Sequence, residues 1–323
     1  MSVGPQPRAT LVSVFGKTPA RGDFIRPRIA SGEMSHFGFE GWLHEAADAL
    51  RAVNGHLEKH PLCFALFAAN GKAILTGVMI GSHDRVGREF PFGVCCLWPS
   101  EFGLHPCALP IAAGPFFQAA ADWLPTGVMM QAEEEMSLPL PDPRTAHFAN
   151  GAAGQALSQA SCSDFFSRCF SQPVESHAHY SVFTLLRALQ VTRTSSQAMV
   201  VECPRTPPPP AQQADVDLLA WLALASETGR VHAGAQLAAC CWQPHSEKLL
   251  LSFGQPSKHL LRYWVGCGEA SARLWPLHST RPDAVAHALR GSPLPSNWFA
   301  VDSAYSVGRF MDELVSALPT LIR

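Results

Sequence analysis

Two apolar runs with Asn-Gly between them constrain the fold of this chain more than any other feature. The runs cover residues 62–69 and 72–80, and Asn70 and Gly71 separate them. Asn-Gly is favoured in the two-residue turns of β-hairpins, because both turn positions require a positive φ angle. The sequence therefore predicts an antiparallel hairpin within the first half of the chain.

Helical and strand patterns flank this hairpin. Apolar residues recur at helical spacing over residues 39–53 and 115–124, and short apolar runs predict strands at residues 11–15 and 92–98. In the second half, the predicted helices cover residues 163–170, 180–189, 215–226 and 303–321, and the predicted strands cover residues 198–203, 236–242 and 248–253.

A weakly patterned segment separates two regions of the chain. Residues 127–154 show little periodicity and contain three prolines, so we place a domain boundary near residue 150. The predicted fold class is α/β. Residues 1–150 are expected to form an N-terminal mixed-sheet sandwich of the αβα type, and residues 151–323 a second, smaller α/β region that can pack on the first.

Composition excludes several classes of function. The formal net charge is −2, and no cluster of Lys and Arg is dense enough for a nucleic-acid interface. No apolar run reaches the roughly 18 residues of a membrane-spanning helix, and residues 1–10 lack the apolar core of a signal peptide. We expect a cytoplasmic protein that binds no nucleic acid and does not insert into a membrane.

The ten cysteines do not form a metal-binding pattern. None belongs to a C-x-x-C motif, and neighbours such as Cys95 and Cys96, or Cys240 and Cys241, point to opposite faces of a strand. We interpret the cysteines as small buried hydrophobic residues in a reducing compartment. The histidines show no zinc-like spacing beside them, so we expect no metal and no cofactor.

Two short segments combine the charged, glycine and aromatic residues that are typical of a functional site. The first loop, FGKTPARGDF, covers residues 15–24, and the second loop, SHDRVGREFP, covers residues 82–91. Each follows a predicted strand. The candidate site residues are Lys17, Arg21, Gly22, Asp23, Phe24, Ser82, Asp84, Arg85, Gly87, Arg88, Phe90 and Pro91.

Neither loop carries a complete catalytic motif. The Gly-Lys-Thr of the first loop is like the end of a phosphate-binding loop, but Leu11 stands where that motif requires a glycine. Ser82, His83 and Asp84 are the residue types of a hydrolytic triad, but consecutive residues cannot orient one another as a triad requires. We therefore predict no catalytic residue and no enzyme activity.

The arginines of the two loops leave three roles open. Arg21, Arg85 and Arg88 carry guanidinium groups suited to carboxylates and phosphates. Asp84 or Asp23 can fix one of them in an internal network. Alternatively, the arginines can face the acidic or phosphorylated surface of a partner, or they can serve catalysis.

The remaining loop residues are expected to shape the backbone. Gly16, Gly22 and Gly87 should permit conformations that strain other residues. Phe24 and Phe90 should anchor the two loops in the core.

The two loops resemble the motifs of the type VI secretion TagF (also called ImpM) family. The first loop resembles F-G-K-x-P-x-R-G-D-F and the second S-x-D-R-x-G-R-x-F-P, and Trp42 lies on a helix between them, as in the family. The resemblance covers residues 11–130, and only residues 249–255 match loosely in the second half. It implies an N-terminal α/β sandwich and a cytosolic post-translational regulator, usually a repressor of assembly. It also implies a forkhead-associated (FHA) scaffold protein as partner, in a pathway with a Ser/Thr kinase and a PP2C-type phosphatase.

Three functional hypotheses follow. The first is a non-enzymatic regulator that binds other proteins through the two loops. The second is a hydrolase or phosphate-handling enzyme with Arg21, Asp23, Asp84 and Arg88 around a pocket. The third is a structural accessory subunit of the secretion machine. A cleft on which these side chains converge would favour the enzyme, and mutual salt bridges would favour a structural or binding role.

Overall fold

One sheet of eight strands forms the centre of the fold. The computed structural model describes residues 11–29, 37–68, 73–129, 138–170, 174–195, 197–208, 215–231, 235–266, 273–279, 281–299 and 305–321. The strands are β1 Val12–Gly16, β2 Leu62–Phe67, β3 Ile74–His83, β4 Glu89–Trp98, β5 Met199–Pro204, β6 Leu237–Trp242, β7 Lys248–Phe253 and β8 Leu274–Pro276.

Ten α-helices lie in the described part of the chain. They are α1 Phe39–Arg51, α2 Leu109–Ala112, α3 Gly114–Gly127, α4 Pro143–Gln159, α5 Cys162–Cys169, α6 Val174–Ser195, α7 Val216–Val231, α8 Leu260–Trp264, α9 Pro282–Gly291 and α10 Val307–Leu321. Short 3₁₀ turns cover Ser100–Phe102, Pro106–Ala108 and Ser296–Phe299. Within the described residues, none of these helices has the length and apolar character needed to cross a membrane.

The strand order joins the two halves of the chain. The order is β1-β4-β3-β2-β6-β7-β5-β8, and every neighbouring pair is antiparallel except β5 and β8. The predicted hairpin is confirmed, since β2 and β3 pair from Leu62 with Met79 to Phe67 with Ile74. Its Asn-Gly turn lies outside the described residues.

The second half does not build a sheet of its own within the described residues. Its four strands extend the first sheet, because β2 pairs with β6 on the side away from β3. All six residues of β2 are buried, so both of its edges need a partner strand. The mixed α/β class is confirmed, but the sheet is continuous where a separate second region was expected. Helix α4 crosses residue 150, and the division at that residue stays a prediction.

Helices cover both faces of the sheet. Alternate strand residues point to opposite faces, so Phe64 packs with α1 and α8 on one face, while Cys63 packs with α3 to α7 and α10 on the other. The adjacent cysteines point to opposite faces, as predicted. Cys95 packs on the same face as Phe64, and Cys96 packs on the same face as Cys63. Burial raises the pKa of Cys96 to about 12, so this thiol stays protonated at neutral pH.

Trp42 connects α1 to the second half of the chain. Its indole Nε1–H donates a 3.0 Å hydrogen bond to the backbone carbonyl of Ser257, which precedes α8. Trp42 is 6 % exposed and Ser257 5 % exposed, so the bond is shielded from water. The tryptophan that lies between the two loops in sequence therefore ties the helix of the first half to the second half.

The first loop covers one edge of the sheet. Strand β1 is an edge strand, yet Gly16 and Ile25 exchange two backbone hydrogen bonds of 3.0 and 2.7 Å along it. The backbone N–H of Arg28 also donates to the Ser13 hydroxyl at 2.8 Å. All five residues of β1 are consequently buried. At the other edge, β8 has three residues and ends at Pro276, which has no N–H to offer.

Candidate functional site

The two loops lie side by side at one end of the β3–β4 hairpin. The structure narrows the second loop to residues 84–88, because β3 continues to His83 and β4 begins at Glu89. The backbone N–H of Arg85 donates to the carbonyl of Arg21 at 3.0 Å. The Arg88 side chain also donates through Nη2 to the carbonyl of Gly22 at 3.3 Å. One backbone donor and one side-chain donor of the second loop thus hold the backbone of the first.

Asp84 is the centre of this arrangement. Its side chain is fully buried and accepts backbone hydrogen bonds from Val86 at 3.1 Å and Arg88 at 2.9 Å. Its second carboxylate oxygen accepts from Arg88 Nε at 2.6 Å and from Lys17 Nζ at 3.1 Å. Lys17 belongs to the first loop, so a single buried carboxylate connects both loops. This is the internal network that sequence reasoning left open, with Asp84 and not Asp23 as the acid.

Electrostatics keep Asp84 ionised. Burial alone would raise the pKa of this carboxyl group, but hydrogen bonds from Arg88, Lys17 and Val86 outweigh it and hold the pKa well below its usual range. A carboxylate that accepts four hydrogen bonds and stays charged is a weak base. The group is suited to holding the loops and not to moving protons.

Two of the three predicted glycines have the expected backbone conformation. Gly16 has a φ of 103° and Gly87 a φ of 85°, both in the region that favours glycine. A Cβ on Gly16 would collide with the carbonyl oxygen of Pro91, whose oxygen accepts from the Lys17 N–H at 3.3 Å. Gly22 is not among the positive-φ residues and has open space around it, so the prediction for Gly22 was wrong.

Aromatic rings fix the loops to the core. Phe90 is 4 % exposed and meets the half-buried Phe24 at 5.2 Å in an edge-to-face contact. His44 of α1 lies 5.0 Å from each ring. Lys17 Nζ lies 5.6 Å from the Phe90 centroid while it pairs with Asp84. The anchoring role predicted for both phenylalanines is confirmed by this packing.

Arg21 and Arg85 differ from the other loop cations. Both side chains are exposed, and within the described residues neither forms an ion pair or a side-chain hydrogen bond. Asp23 is exposed and equally without a side-chain partner in that part of the chain. Val86, between the arginines of the second loop, is 70 % exposed. Sequence reasoning did not single out Val86, although an apolar residue at the tip of a charged loop is a usable signal.

Ser82 and Pro91 lie on the strands below the second loop and not in the loop. Both line a small pocket between the hairpin and α1, which also includes Leu50 and Gly55. The Ser82 hydroxyl oxygen is buried and has no hydrogen-bond partner in the described part of the chain. The candidate residues therefore separate into the Asp84 network, the exposed arginines and this pocket, and they do not converge on one cleft.

No group of three or more potential metal ligands occurs among the described residues. Nine of the ten cysteines lie in that part of the chain, and all nine are free thiols. Eight are buried, and Cys107 is half-buried; Cys267 lies outside it. The interpretation of the cysteines as buried hydrophobic residues is confirmed for those eight.

These features define an α/β protein whose N-terminal half presents two clamped, cationic loops beside a buried carboxylate. Residues 13–137 match the family model described as TagF N-terminal domain, Type VI secretion system-associated. The resemblance of the two loops to the TagF motifs is confirmed by this match over residues 13–137. Both loops lie inside the matched range, and residues 138–323 lie beyond it.

One solved structure is similar to this chain over more residues than the family model covers. This is PA0076 from Pseudomonas aeruginosa PAO1, with 18 % sequence identity and a TM-score of 0.38. The likeness covers 80 % of this chain and 96 % of PA0076. Among curated proteins, no sequence matches this chain.

Proposed function

We propose that this protein is a non-enzymatic post-translational regulator, a repressor, of type VI secretion that acts by binding other proteins. The observation that carries the proposal is the pair Arg21 and Arg85, two exposed arginines without a partner in the described part of the chain on neighbouring backbone positions. The match of residues 13–137 to the TagF N-terminal domain, described as Type VI secretion system-associated, supports a role in type VI secretion.

The charge of the two loops favours one kind of partner. Residues 15–24 and 82–91 hold four cationic side chains, Lys17, Arg21, Arg85 and Arg88, against the three carboxylates Asp23, Asp84 and Glu89, and Glu89 contacts His56. Asp84 is occupied by Lys17 and Arg88. The remaining cations are suited to an acidic or phosphorylated surface, because guanidinium groups bind carboxylates and phosphates with paired hydrogen bonds. Val86 adds an exposed apolar contact between them.

The proposed direct partner is the FHA-domain protein of the same secretion locus, within the cytoplasm. The Ser/Thr kinase and PP2C-type phosphatase of that locus are proposed as functional links. The state of Asp84 supports binding over catalysis, because a buried carboxylate with four hydrogen bonds and a lowered pKa is a poor general base.

A pull-down with purified proteins tests the interface. The FHA-domain protein should be retained by the wild-type chain, and the double variant Arg21→Ala/Arg85→Ala should bind at least about tenfold more weakly. Arg144→Ala/Arg193→Ala is the matched control, because it removes two exposed arginines from α4 and α6. This control should bind like the wild type.

Other outcomes would change the proposal. Full binding by a folded Arg21→Ala/Arg85→Ala variant would move the interface elsewhere. Absence of binding at micromolar concentration would contradict the FHA partner and favour the enzyme or the machine subunit.

Deletion of the gene tests the sign of regulation. A repressor predicts that secretion rises when the gene is deleted. A structural accessory subunit predicts that secretion is lost, together with stable incorporation of the protein into the machine.

A further inference from the structure

A small pocket lies where the β3–β4 hairpin meets α1, and we call it the hairpin pocket. The last three residue pairs of the hairpin before the second loop line one side of it, from Gly81 with Pro91 to His83 with Glu89. The end of α1 and the chain that follows it line the other side. The pocket is therefore built by the same hairpin that carries the second loop.

The volume of the hairpin pocket limits its occupant. It is about 160 Å³, whereas sites for drug-sized ligands and cofactors hold about 300–1,000 Å³. An apolar cavity of about 150 Å³ holds one benzene molecule, so this pocket is suited to a single side chain. Among its lining residues, Leu50 and Phe90 are buried, whereas Lys59 and His83 are exposed, so the pocket opens to solvent.

The hairpin pocket presents mostly carbon to an occupant. Ala47, Leu50, Leu57 and Phe90 contribute apolar side chains to its walls. The Ser82 hydroxyl oxygen is sealed from solvent, so it offers the occupant no hydrogen bond. An aliphatic side chain is the occupant that loses least on leaving water for such walls.

The charged groups at the rim do not select an ion. Arg51 pairs with Asp48, and His56 contacts Glu89. Lys59 is the remaining Lys or Arg of the lining, and a glutamate precedes it in sequence. The pocket therefore selects by size and apolar character, and not by charge.

Backbone hydrogen bonds hold the walls of the hairpin pocket in place. The carbonyl of Leu50 accepts from the N–H groups of Val53 at 3.1 Å and Gly55 at 2.9 Å. The N–H of Gly81 donates to the carbonyl of Glu58 at 3.0 Å, which joins the chain after α1 to β3. A pocket with fixed walls needs little ordering when it is filled, so more of the binding energy is retained.

The hairpin pocket adjoins the exposed arginine of the second loop. Phe90 lines the pocket and also lies 5.6 Å from Lys17 Nζ, in the Asp84 network. His83 lines the pocket and stands two positions before Arg85, which corresponds to at most about 7 Å between their Cα atoms. Two positions of an extended peptide span the same distance. A segment whose acidic group binds Arg85 can therefore place a neighbouring side chain in the pocket.

We propose that the hairpin pocket receives one leucine-sized aliphatic side chain of the partner protein, from the same segment whose acidic or phosphorylated groups bind Arg85. This inference rests on the proposed function, because it concerns the same partner. It adds specificity to the charge of the loops, since an acidic surface without the aliphatic residue would leave the pocket empty. Burial of such a side chain strengthens binding by roughly tenfold to a hundredfold.

The first test needs no partner protein. The full-length, ¹⁵N-labelled protein is titrated with the neutral probe N-acetyl-leucine methylamide, observed at the backbone N–H resonances of Gly55 and Gly81. Both resonances should shift and saturate with a Kd of about 1–10 mM, as expected for a ligand of few atoms. N-acetyl-glycine methylamide, which lacks the side chain, should produce no saturable shift.

Two variants alter the hairpin pocket. Ala47→Met fills it from α1 with a good helix former, and the affinity for the leucine probe should fall at least about tenfold. Ala49→Met is the matched control on the same helix, because Ala49 is not part of the lining. Leu57→Ala removes part of the apolar wall, should weaken probe binding at least about threefold, and remains informative even if Ala47→Met does not fold.

A pull-down with the FHA-domain protein separates this inference from the proposed function. Ala47→Met should retain this partner at least about tenfold more weakly than the wild type, and Ala49→Met should retain it equally. Arg21→Ala/Arg85→Ala should lose the partner but bind the neutral leucine probe like the wild type. Saturable probe binding with no binding of the FHA-domain protein to the wild type would contradict the proposed function and support the pocket as a side-chain site.

Three results would overturn the inference. The first is no saturable shift of the Gly55 and Gly81 resonances up to about 50 mM leucine probe. The second is an equal response to the glycine probe, which would exclude recognition of the side chain. The third is full retention of the FHA-domain protein by a folded Ala47→Met variant, which would leave the proposed function intact and remove the pocket from the interface.

Discussion

The backbone N–H of Arg85 donates a 3.0 Å hydrogen bond to the backbone carbonyl of Arg21. The side chains of these two exposed arginines therefore extend from neighbouring backbone positions, although the residues are 64 positions apart in sequence. Within the described residues, neither guanidinium group has a counter-ion. The clamp below them, built on Asp84, fixes the backbone from which they extend.

The Asp84 network should make stability depend on pH. The pKa of Asp84 is lowered in the folded protein, so its contribution is complete above the unfolded-state value of about 3.9 and is lost as pH falls through the folded value. Urea unfolding of wild type and Asp84→Asn should show the largest difference at pH 5–7. The difference should shrink between pH 4 and about pH 2. Asp23→Asn, at an exposed position, should change stability by less than about 0.5 kcal/mol. A difference that is independent of pH would contradict this account.

Gly16 and Gly22 provide a matched pair of substitutions. Gly16→Ala should lower the free energy of unfolding by about 2 kcal/mol or more, because φ is 103° and the new Cβ collides with the carbonyl of Pro91. Gly22→Ala should change it by less than about 0.5 kcal/mol, since nothing lies within 4 Å of its added Cβ. Guanidinium unfolding measures both. Equal effects of the two substitutions would mean that the close approach of Gly16 to Pro91 of β4 does not contribute to stability.

The indole of Trp42 should contribute more than packing. Trp42→Phe removes the hydrogen bond to Ser257, whereas Trp98→Phe removes a buried indole N–H that has no partner in the described part of the chain. Both substitutions lose similar apolar volume. Trp42→Phe should therefore be the more destabilising by about 1 kcal/mol in urea unfolding. Equal losses would show that the bond between the two halves adds nothing to stability.

The proposed boundary at residue 150 can be tested with fragments. In a chain of residues 1–150, β2 would lose β6, its partner along Cys63–Leu66, and α4 would be cut. We expect this fragment to aggregate or to lack a cooperative transition, while the full-length protein unfolds in one step by both fluorescence and circular dichroism. A folded, monomeric fragment would show that residues 1–150 are an independent domain.

Local patterns predicted most elements of the fold but not their assembly. The hairpin, α1 and β4 followed from periodicity and turn chemistry. Helix α4 was missed because its buried face consists of Ala146, Ala149, Ala153 and Leu157, which give little contrast with the exposed face. Its start was nevertheless signalled by Asp142 before Pro143, since the Asp142 side chain accepts from the N–H groups of Arg144 and Thr145.

The sequence did not predict which distant strands pair with each other. The contact of β2 with β6 joins residues more than 170 positions apart, and an apolar strand does not specify which strand it will meet. The site shows the same limit. The residue types of both loops pointed to an acid–arginine network, but the choice of Asp84 over Asp23 depends on which carboxylate the hairpin buries.

The chain that follows the first loop also protects the edge of the sheet, because Ile25 and Arg28 form hydrogen bonds along β1. Without that cover, a strand of five buried residues would present open backbone donors and acceptors along one margin of the sheet. An uncovered edge strand of this kind can pair with strands of other molecules. The segment that would present Arg21 to the proposed partner therefore also protects the protein from edge-to-edge association. Changes that loosen residues 24–28 should therefore first become visible as loss of colloidal solubility, before any effect on secretion.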